Sequence, residues 1–207
     1  MIDGHRLNPV RTSYRRIFNG SFARGGRWYG PWWQSVPSRI RRGICINGEL
    51  TCGPDIRGCH MRLLCADAGI NLSDGDPYGG LDLPRNDIKL AINVMLNARS
   101  WPSARGALIE HLSDSYGLAV AVHVDQIRAA VRSRFPALEP YWNTGFGLVL
   151  QNIDAAICAR VQQRLRNDGV PVLSIHESYI APQSAHDLTV EAMDQEFDCS
   201  VSFASGA

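Results

Sequence analysis

The feature that most restricts the fold of this chain is a pair of short apolar runs flanking a polar tip, VPVLSIHESYIAP, from Val170 to Pro182. Apolar runs of four to eight residues bounded by Gly or Pro are typical of buried strands. The stretch therefore predicts a hairpin whose tip displays His176, Glu177 and Ser178. Taken alone, such a tip is more typical of a solvated surface turn than of an active site, because short motifs produce many false matches.

Strand and helix patterns alternate along the rest of the chain. Residues 43–52 alternate apolar residues around an Asn-Gly pair and predict a strand or hairpin. Helical spacing predicts helices over 58–68, 85–99, 104–113, 125–134, 137–142, 150–166 and 184–195, and period-two alternation predicts a closing strand over 197–203. Residues 1–43 are expected to be irregular and 71–84 to form a loop. We expect an α+β fold in which a small antiparallel sheet packs on helices.

Composition is that of a globular protein. The 207 residues, 45% of them hydrophobic, suffice for one large domain or two small ones. No run approaches the ~20 apolar residues that span a bilayer, and the first residues lack the apolar core of a signal peptide, so no membrane partner and a cytoplasmic location are expected. The six cysteines show no Cys-x-x-Cys spacing. We expect all six to be small buried hydrophobes rather than zinc ligands or disulfides.

Charge is distributed unevenly along the chain. Residues 1–62 carry eleven arginines and three carboxylates, a balance of +8, whereas the remainder has a balance of −7. Aromatic residues alternate with the arginines in FARGGRWYGPWWQSVPSRIRR, a mix that suits phosphate contacts and base stacking. It suits an Arg-rich surface over a Trp-rich core equally well. Of the 21 basic residues only Lys89 is a lysine, and an ammonium can donate a proton that a guanidinium retains.

Three segments follow one another in an order that suits phosphoryl-transfer chemistry. TCGPDIRGCHMRLL places Asp55 at the end of a strand, RNDIKLAINVMLNA places Arg85 and Lys89 one helical turn apart on one face, and SIHESYI presents Glu177. Two carboxylates on adjacent strands can hold two divalent metals ~4 Å apart for in-line displacement. A cationic helix face can bind a triphosphate and neutralise its developing charge.

Together these segments resemble the polymerase core of family A DNA polymerases and of the related phage-type single-subunit RNA polymerases. Asp55 with Arg62 resembles motif A, Arg85 with Lys89 resembles motif B, and SIHESYI resembles motif C. WWQSVPSRIRRGICINGE resembles the segment before motif A, and LVLQNIDAAICARVQQRL resembles the palm helix that contacts minor-groove edges. The ordered match covers roughly residues 30–182.

The resemblance implies a template-dependent nucleotidyl transferase, DNA polymerase-like, that uses two Mg²⁺ or Mn²⁺ ions, nucleoside triphosphates and a primed nucleic acid. In this view Asp55 and Glu177 bind the metals, and Lys89 protonates the departing pyrophosphate. The implied nucleotide contacts are Arg85, Lys89, His60 and Asn93. The implied nucleic-acid contacts are Gln34, Arg39, Arg41, Arg42, Arg62, Gln151 and His176.

The resemblance also implies a domain organisation. Residues 1–42 would be a basic segment that contacts nucleic acid, residues 43–72 and 146–207 the two parts of the palm, and residues 73–145 the helical fingers. The chain is too short for a full thumb, which a protein partner would then supply.

Five positions depart from the family pattern. Glu177 replaces the Asp of motif C, and His60 stands where DNA polymerases place a Glu that excludes the ribose 2′-hydroxyl. Asn93 and Asn97 stand in motif B where the family has aromatic residues, and Ser178 follows the motif C carboxylate as in the RNA polymerases. Three alternatives stay open: a DNA polymerase-like or RNA- or primer-synthesising enzyme, a catalytically weakened polymerase-like fold that only binds nucleic acid, and an unrelated α+β protein with coincidental motifs.

Overall fold

The computed structural model describes residues 8–72 and 76–204 as a mixed α+β protein in which small antiparallel sheets pack on helices, which confirms the predicted fold class at that level. The strands are Arg15–Phe18 (β1), Gly25–Tyr29 (β2), Cys45–Ile46 (β3), Glu49–Cys52 (β4), Leu173–Ile175 (β5) and Ser178–Pro182 (β6). The helices are Ser38–Arg41 (α1), Cys59–Asp67 (α2), Arg85–Asn97 (α3), Trp101–Tyr116 (α4), Val120–Arg134 (α5), Gly147–Asn167 (α6) and His186–Ala204 (α7). Short 3₁₀ turns cover Trp32–Gln34, Gly117–Ala119, Pro136–Tyr141 and Gln183–Ala185.

The chain divides into two compact units. The first combines the residues up to Cys59 with those from Gln151 onward, and the second is His60–Leu150. The first unit contains all the strands, and the second consists of helices and their connections.

Two hairpins build the four-stranded sheet of the first unit, in the order β3-β4-β6-β5. The first hairpin turns at Asn47 and Gly48, whose φ angles of 53° and 82° suit the tight turn that an Asn-Gly pair favours. Antiparallel pairing of Thr51 with Pro182 and of Cys52 with Ala181 joins the hairpins edge to edge. The buried residues of this unit on β6, α6 and α7 include Tyr179, Ile180, Ile157, Val161, Leu165, Met193 and Phe197.

The N-terminal segment is ordered, and the expectation of an irregular stretch over residues 1–43 is wrong for the part that the structure describes. Strands β1 and β2 form a second antiparallel sheet. Tyr14, Trp33 and Gln34 all hydrogen-bond to Ser174, a fully buried residue of β5. The short strands lack strict alternation, so their order depends on these long-range contacts rather than on a local pattern. Residues 1–7 lie outside the described ranges.

The closing strand predicted over residues 197–203 is also wrong, because α7 continues through this stretch. Apolar and polar residues alternate in FDCSVSF, which is a strand-like period of two. Met193 and Phe197 are nevertheless buried four residues apart, and no Gly or Pro interrupts the chain after Gln183 within the described helix. The helical period that begins upstream therefore prevails.

Three helices form the core of the second unit. The predicted apolar stripe of α3 is buried as expected, with Ile88, Ile92, Met95 and Leu96 all at most 1% exposed. Helices α4 and α5 begin earlier than predicted, α4 because Ser100 caps it by accepting a hydrogen bond from the Ser103 N–H. The helix predicted over residues 137–142 is a 3₁₀ turn instead.

Two smaller expectations have a mixed outcome. All six cysteines are free, but only Cys59, Cys65 and Cys158 are buried, whereas Cys45 and Cys199 are exposed. The prediction that all six are buried is therefore wrong. None of the helices in the ranges that the structure describes combines the length and the apolar character that a membrane crossing requires.

Candidate active site

The first candidate carboxylate, Asp55, lies where the two hairpins of the first unit meet. Beyond β4 the chain continues alongside β6: Tyr179 N–H donates to Pro54 O at 3.0 Å, and Asp55 forms an isolated antiparallel bridge with Ser178. Ile56 N–H donates to Glu177 O at 3.1 Å. The backbones of Asp55 and Glu177 are therefore neighbours although 122 positions separate them in the sequence.

The second candidate carboxylate, Glu177, lies in the two-residue turn between β5 and β6. Ile175 pairs with Ser178 across the turn, and the Ser178 hydroxyl donates to Ile175 O at 3.0 Å. His176 has a φ of 56°, a left-handed conformation that tight hairpin turns require and that His adopts more readily than most residues. The buried strands on either side thus hold a strained polar tip in one position.

A buried ion pair reaches this tip from the other sheet of the same unit. Arg27 of β2 donates from Nε to Asp154 Oδ2 at 2.8 Å and from Nη2 to Glu177 Oε2 at 3.1 Å. The Asp154 side chain is 1% exposed, that of Arg27 17% and that of Glu177 35%. One guanidinium therefore joins a buried carboxylate of α6 to the candidate catalytic carboxylate.

The environment of this ion pair shifts two pKa values. Burial alone would lower the pKa of Arg27, but the hydrogen bond and charge of Asp154, with the charge of Glu177, raise it above its ordinary value. The pKa of His176 is lowered by burial and then by the positive charge of Arg27, against a weaker opposite effect of the two carboxylates. His176 is therefore neutral near pH 7, and its ring packs edge-on against Tyr29 at 5.1 Å between centroids.

A cavity of about 270 Å³ opens beside Asp55 on the face of the sheet. Its lining includes Arg41 and Arg42 at the end of α1, together with Ser38, Asp55, Thr51 and Ser178. Arg41 also donates from Nη1 to Val36 O at 3.2 Å, which fixes the direction of its side chain. Two guanidinium groups beside a carboxylate can accommodate an anion such as a phosphate.

In the second unit the predicted cationic face of α3 is an exposed stripe of residues four apart: Arg85, Lys89, Asn93 and Asn97. The ring of Tyr78, which is buried, lies beneath both cations, at 5.4 Å from the Arg85 guanidinium and 5.9 Å from the Lys89 ammonium. Asp76 accepts two hydrogen bonds from Arg85, at 2.6 and 2.9 Å. Lys89 and Arg85 thus share one face, as the spacing predicts.

The other predicted contact residues occupy different environments. The Gln34 amide makes hydrogen bonds within the protein, donating to Trp28 O and Ser174 O and accepting from Gly30 N–H. Its role in nucleic-acid binding stays a prediction. Arg39 and Asn93 are exposed, whereas His60, Arg62 and Gln151 are half-buried on α2 and α6.

Sequence reasoning missed Arg27, Asp154, Asp76 and Tyr78. Arg27 was counted only as one of many arginines, and Asp154 lies on the long helix α6 where nothing local distinguishes it from a solvated carboxylate. The one available signal was that Asp154 stands among apolar residues in IDAAIC, which is unusual for a charged residue without a buried partner.

Metal binding at this junction would depend on the carboxylates of Asp55 and Glu177, whose backbones are neighbours. Among the described residues, no group of three or more His, Cys, Asp or Glu side chains is arranged to hold a metal ion. Mg²⁺, however, commonly binds through one or two carboxylates and completes its coordination with water and substrate phosphates. Asp55 and Glu177 supply two carboxylates of the kind that such a site uses.

Comparison with known proteins neither adds to nor changes this picture. No protein-family model matches the chain, and no curated protein matches it either.

The cavity and its arginines lead to a prediction about nucleic-acid binding. Changing Arg39, Arg41 and Arg42 together to Gln should weaken binding of a primed duplex and flatten its salt dependence, because each lost phosphate contact lowers the slope of log K against log salt by about 0.9. Fluorescence anisotropy of a labelled duplex at about 50 to 200 mM salt measures this slope, because affinities that depend on phosphate contacts change strongly over that range. A matched triple change of Arg99, Arg164 and Arg166 to Gln controls for the loss of net charge. Equal slopes in the two triple variants would contradict a specific role for α1.

Proposed function

We propose that this chain is a minimal, template-dependent nucleotidyl transferase with a polymerase-like palm and helical fingers. The observation that carries the proposal is the bridge between Asp55 and Ser178, which makes the backbones of Asp55 and Glu177 neighbours at the junction of two hairpins. The order of the motifs adds support, since Asp55 precedes Lys89 and Lys89 precedes Glu177, as in the polymerases that the sequence resembles.

The residues of the first unit would orient the reacting groups. Asp55 and Glu177 would hold two divalent metals, which when bound lower the pKa of the attacking hydroxyl and stabilise the charge on the transferring phosphoryl group. Arg41 and Arg42 line the cavity beside Asp55 and would hold backbone phosphate there. His176, neutral near pH 7, would contact the primer end without adding charge.

The residues of the second unit would bind the nucleotide. Arg85 and Lys89 project from one exposed face of α3 over Tyr78, and together they would contact the triphosphate. Lys89 would donate a proton to the oxygen of the departing pyrophosphate, a task that an arginine cannot perform.

Two residues determine which substrate and which metal we expect. His60 stands where the related DNA polymerases have a Glu, and a His can donate or accept a hydrogen bond with a 2′-hydroxyl that a carboxylate would exclude. Glu177 is one methylene longer than the usual Asp and should suit the less demanding coordination of Mn²⁺ better than that of Mg²⁺.

Primer extension with labelled nucleotides tests the proposal. The wild-type protein should extend a primed template, incorporate ribonucleotides detectably beside deoxyribonucleotides, and work faster with Mn²⁺ than with Mg²⁺. Changing His60 to Glu should restrict incorporation to deoxyribonucleotides. Strict deoxyribonucleotide use by the wild type would contradict the role of His60, and no extension with either metal would overturn the proposed function.

Lys89 has a separate prediction. Lys89→Arg keeps the positive charge but removes the transferable proton, so kcat should fall by about 100-fold while KM for the nucleotide changes little. Arg85→Lys serves as the comparison. A lysine cannot make the two-pronged contact with a phosphate that a guanidinium makes, so this variant should raise KM for the nucleotide with a smaller effect on kcat. Steady-state kinetics over pH 6–9 measures both, and an unchanged kcat in Lys89→Arg would rule out proton donation by this residue.

A second function has one specific observation in its favour. Arg27 engages the Glu177 carboxylate directly, which is also what a polymerase-like fold that binds nucleic acid without catalysis would tolerate. Duplex binding without incorporation under any metal condition would favour this alternative.

A further inference from the structure

Arg27 makes contacts that the proposed chemistry does not use. Its guanidinium lies between two carboxylates, Asp154 on α6 and Glu177 at the hairpin tip, and it comes from β2 in the N-terminal sheet. Asp154 and Glu177 are separated from Arg27 by 127 and 150 positions in the sequence, so the arrangement is built by the tertiary fold. Nothing in the proposed reaction requires a cation at this side of Glu177.

The contacts of Arg27 with the two carboxylates are unequal. The Asp154 side chain is 1% exposed and receives Nε at 2.8 Å, and Arg27 also donates to it from Nη2. Glu177 is 35% exposed and receives a single, longer hydrogen bond of 3.1 Å from Nη2. Charged groups that are shielded from water interact more strongly than exposed ones. Arg27 is therefore anchored on Asp154 and interacts more weakly with Glu177.

A divalent metal at Glu177 would meet this guanidinium. Arg27 occupies Oε2 of Glu177, one of the two oxygens that could ligate a metal, and its positive charge repels another cation at short range. The negative charge of Asp154 offsets that repulsion and holds the guanidinium in its place.

We propose that Arg27 is a positioning residue that fixes the direction of the Glu177 carboxylate and competes with divalent metal for it, and that Asp154 sets the strength of this competition. The inference rests on the proposed metal-binding role of Glu177. In the substrate-free protein Arg27 occupies one oxygen of the Glu177 carboxylate, and metal entry requires its guanidinium to give up Glu177 while remaining on Asp154.

Metal binding by the full chain tests this without any activity measurement. Mn²⁺ titration followed by the electron paramagnetic resonance signal of the free ion gives the affinity. Asp154→Asn removes the anchor and leaves the charge of Arg27 beside Glu177, so Mn²⁺ should bind about tenfold more weakly. Arg27→Gln combined with Asp154→Asn removes both charges and frees Oε2, so Mn²⁺ should bind about threefold more tightly than to the wild type.

Two further variants make the result specific. Arg27→Lys keeps the charge but lacks the fork that reaches both carboxylates, so it releases Glu177 and should bind Mn²⁺ more tightly than the wild type does. This variant provides the test if Asp154→Asn does not fold. Arg132→Lys, which disrupts a comparable fork to Glu139 in the second unit, should leave Mn²⁺ affinity unchanged. In a Glu177→Gln background the changes at Arg27 and Asp154 should no longer alter affinity.

The outcomes separate this inference from the proposed function. Shifts of opposite sign for the single and the double variant, absent in the Glu177→Gln background, support the inference. Shifts of the same sign, or shifts that persist without the Glu177 carboxylate, overturn it while leaving the proposed function intact if Asp55→Asn weakens Mn²⁺ binding. If the wild type binds no Mn²⁺ at millimolar concentration, competition with metal is overturned, whereas the proposed function, in which substrate phosphates complete the metal site, is decided by primer extension alone. A double-mutant cycle of Arg27→Lys and Glu177→Gln, followed by the urea concentration at the unfolding midpoint, then tests positioning alone. Additive shifts of the midpoint overturn it.

Discussion

Asp55→Ala should abolish nucleotide incorporation, with a loss of at least about 1000-fold, because a metal-binding carboxylate accounts for several kcal/mol of transition-state stabilisation. The backbone of Asp55 is held by its bridge to Ser178, so the side-chain change should leave the sheet in place. Primer extension with Mn²⁺, followed under single-turnover conditions, measures the loss. Circular dichroism confirms that the variant is folded.

Two companion variants make this result interpretable. Asp168→Ala removes an exposed carboxylate from the turn after α6 in the same unit and should retain wild-type rates. Glu177→Asp should remain active and shift the metal preference toward Mg²⁺, because the shorter side chain restores the more usual ligand geometry. Incorporation that survives in Asp55→Ala would refute the proposed site as a whole.

The second large effect concerns stability. Arg27→Met should lower the free energy of unfolding by about 3–5 kcal/mol, because Asp154 loses its ion pair while its side chain stays shielded from water. Combining Arg27→Met with Asp154→Leu should recover most of that loss, since two apolar side chains then replace the pair. Urea denaturation in metal-free buffer measures both values.

An exposed ion pair provides the control for this effect. Arg132 contacts Glu139 through two hydrogen bonds, but its side chain is 39% exposed. Arg132→Met should therefore cost no more than about 1 kcal/mol, as is typical of pairs in contact with water. A double variant of Arg27 and Asp154 that is as unstable as Arg27→Met would show that packing at this position, rather than the unpaired charge, causes the loss.

Local patterns predicted the parts of the fold whose stability depends on near neighbours. The apolar stripe of α3 and its exposed cationic face follow from the spacing of Ile88, Ile92, Arg85 and Lys89, because a helix brings residues four apart onto one side. The Asn-Gly pair of the first hairpin predicted its turn for the same reason: the left-handed backbone conformation is a property of those two residues.

Local patterns failed where two periods compete or where order depends on distant contacts. The C-terminal stretch around Phe197 alternates like a strand, yet the helix that precedes it continues because its buried face continues. The N-terminal hairpin is held by hydrogen bonds from Tyr14 and Trp33 to Ser174, some 140 to 160 positions away, and no sequence window contains both ends of such a contact.

The candidate site divides in the same way. The sequence by itself determined which carboxylates and cations to examine, since Asp55, Lys89 and Glu177 stand out by residue type and by order along the chain. Only the tertiary structure decided that Asp55 and Glu177 are backbone neighbours and that Arg27 joins Glu177 to the buried Asp154. The physical reason is that a charge can remain inside a protein only beside an opposite charge, and which charges become neighbours is settled by the packing of the sheets and helices, not by their positions in the sequence.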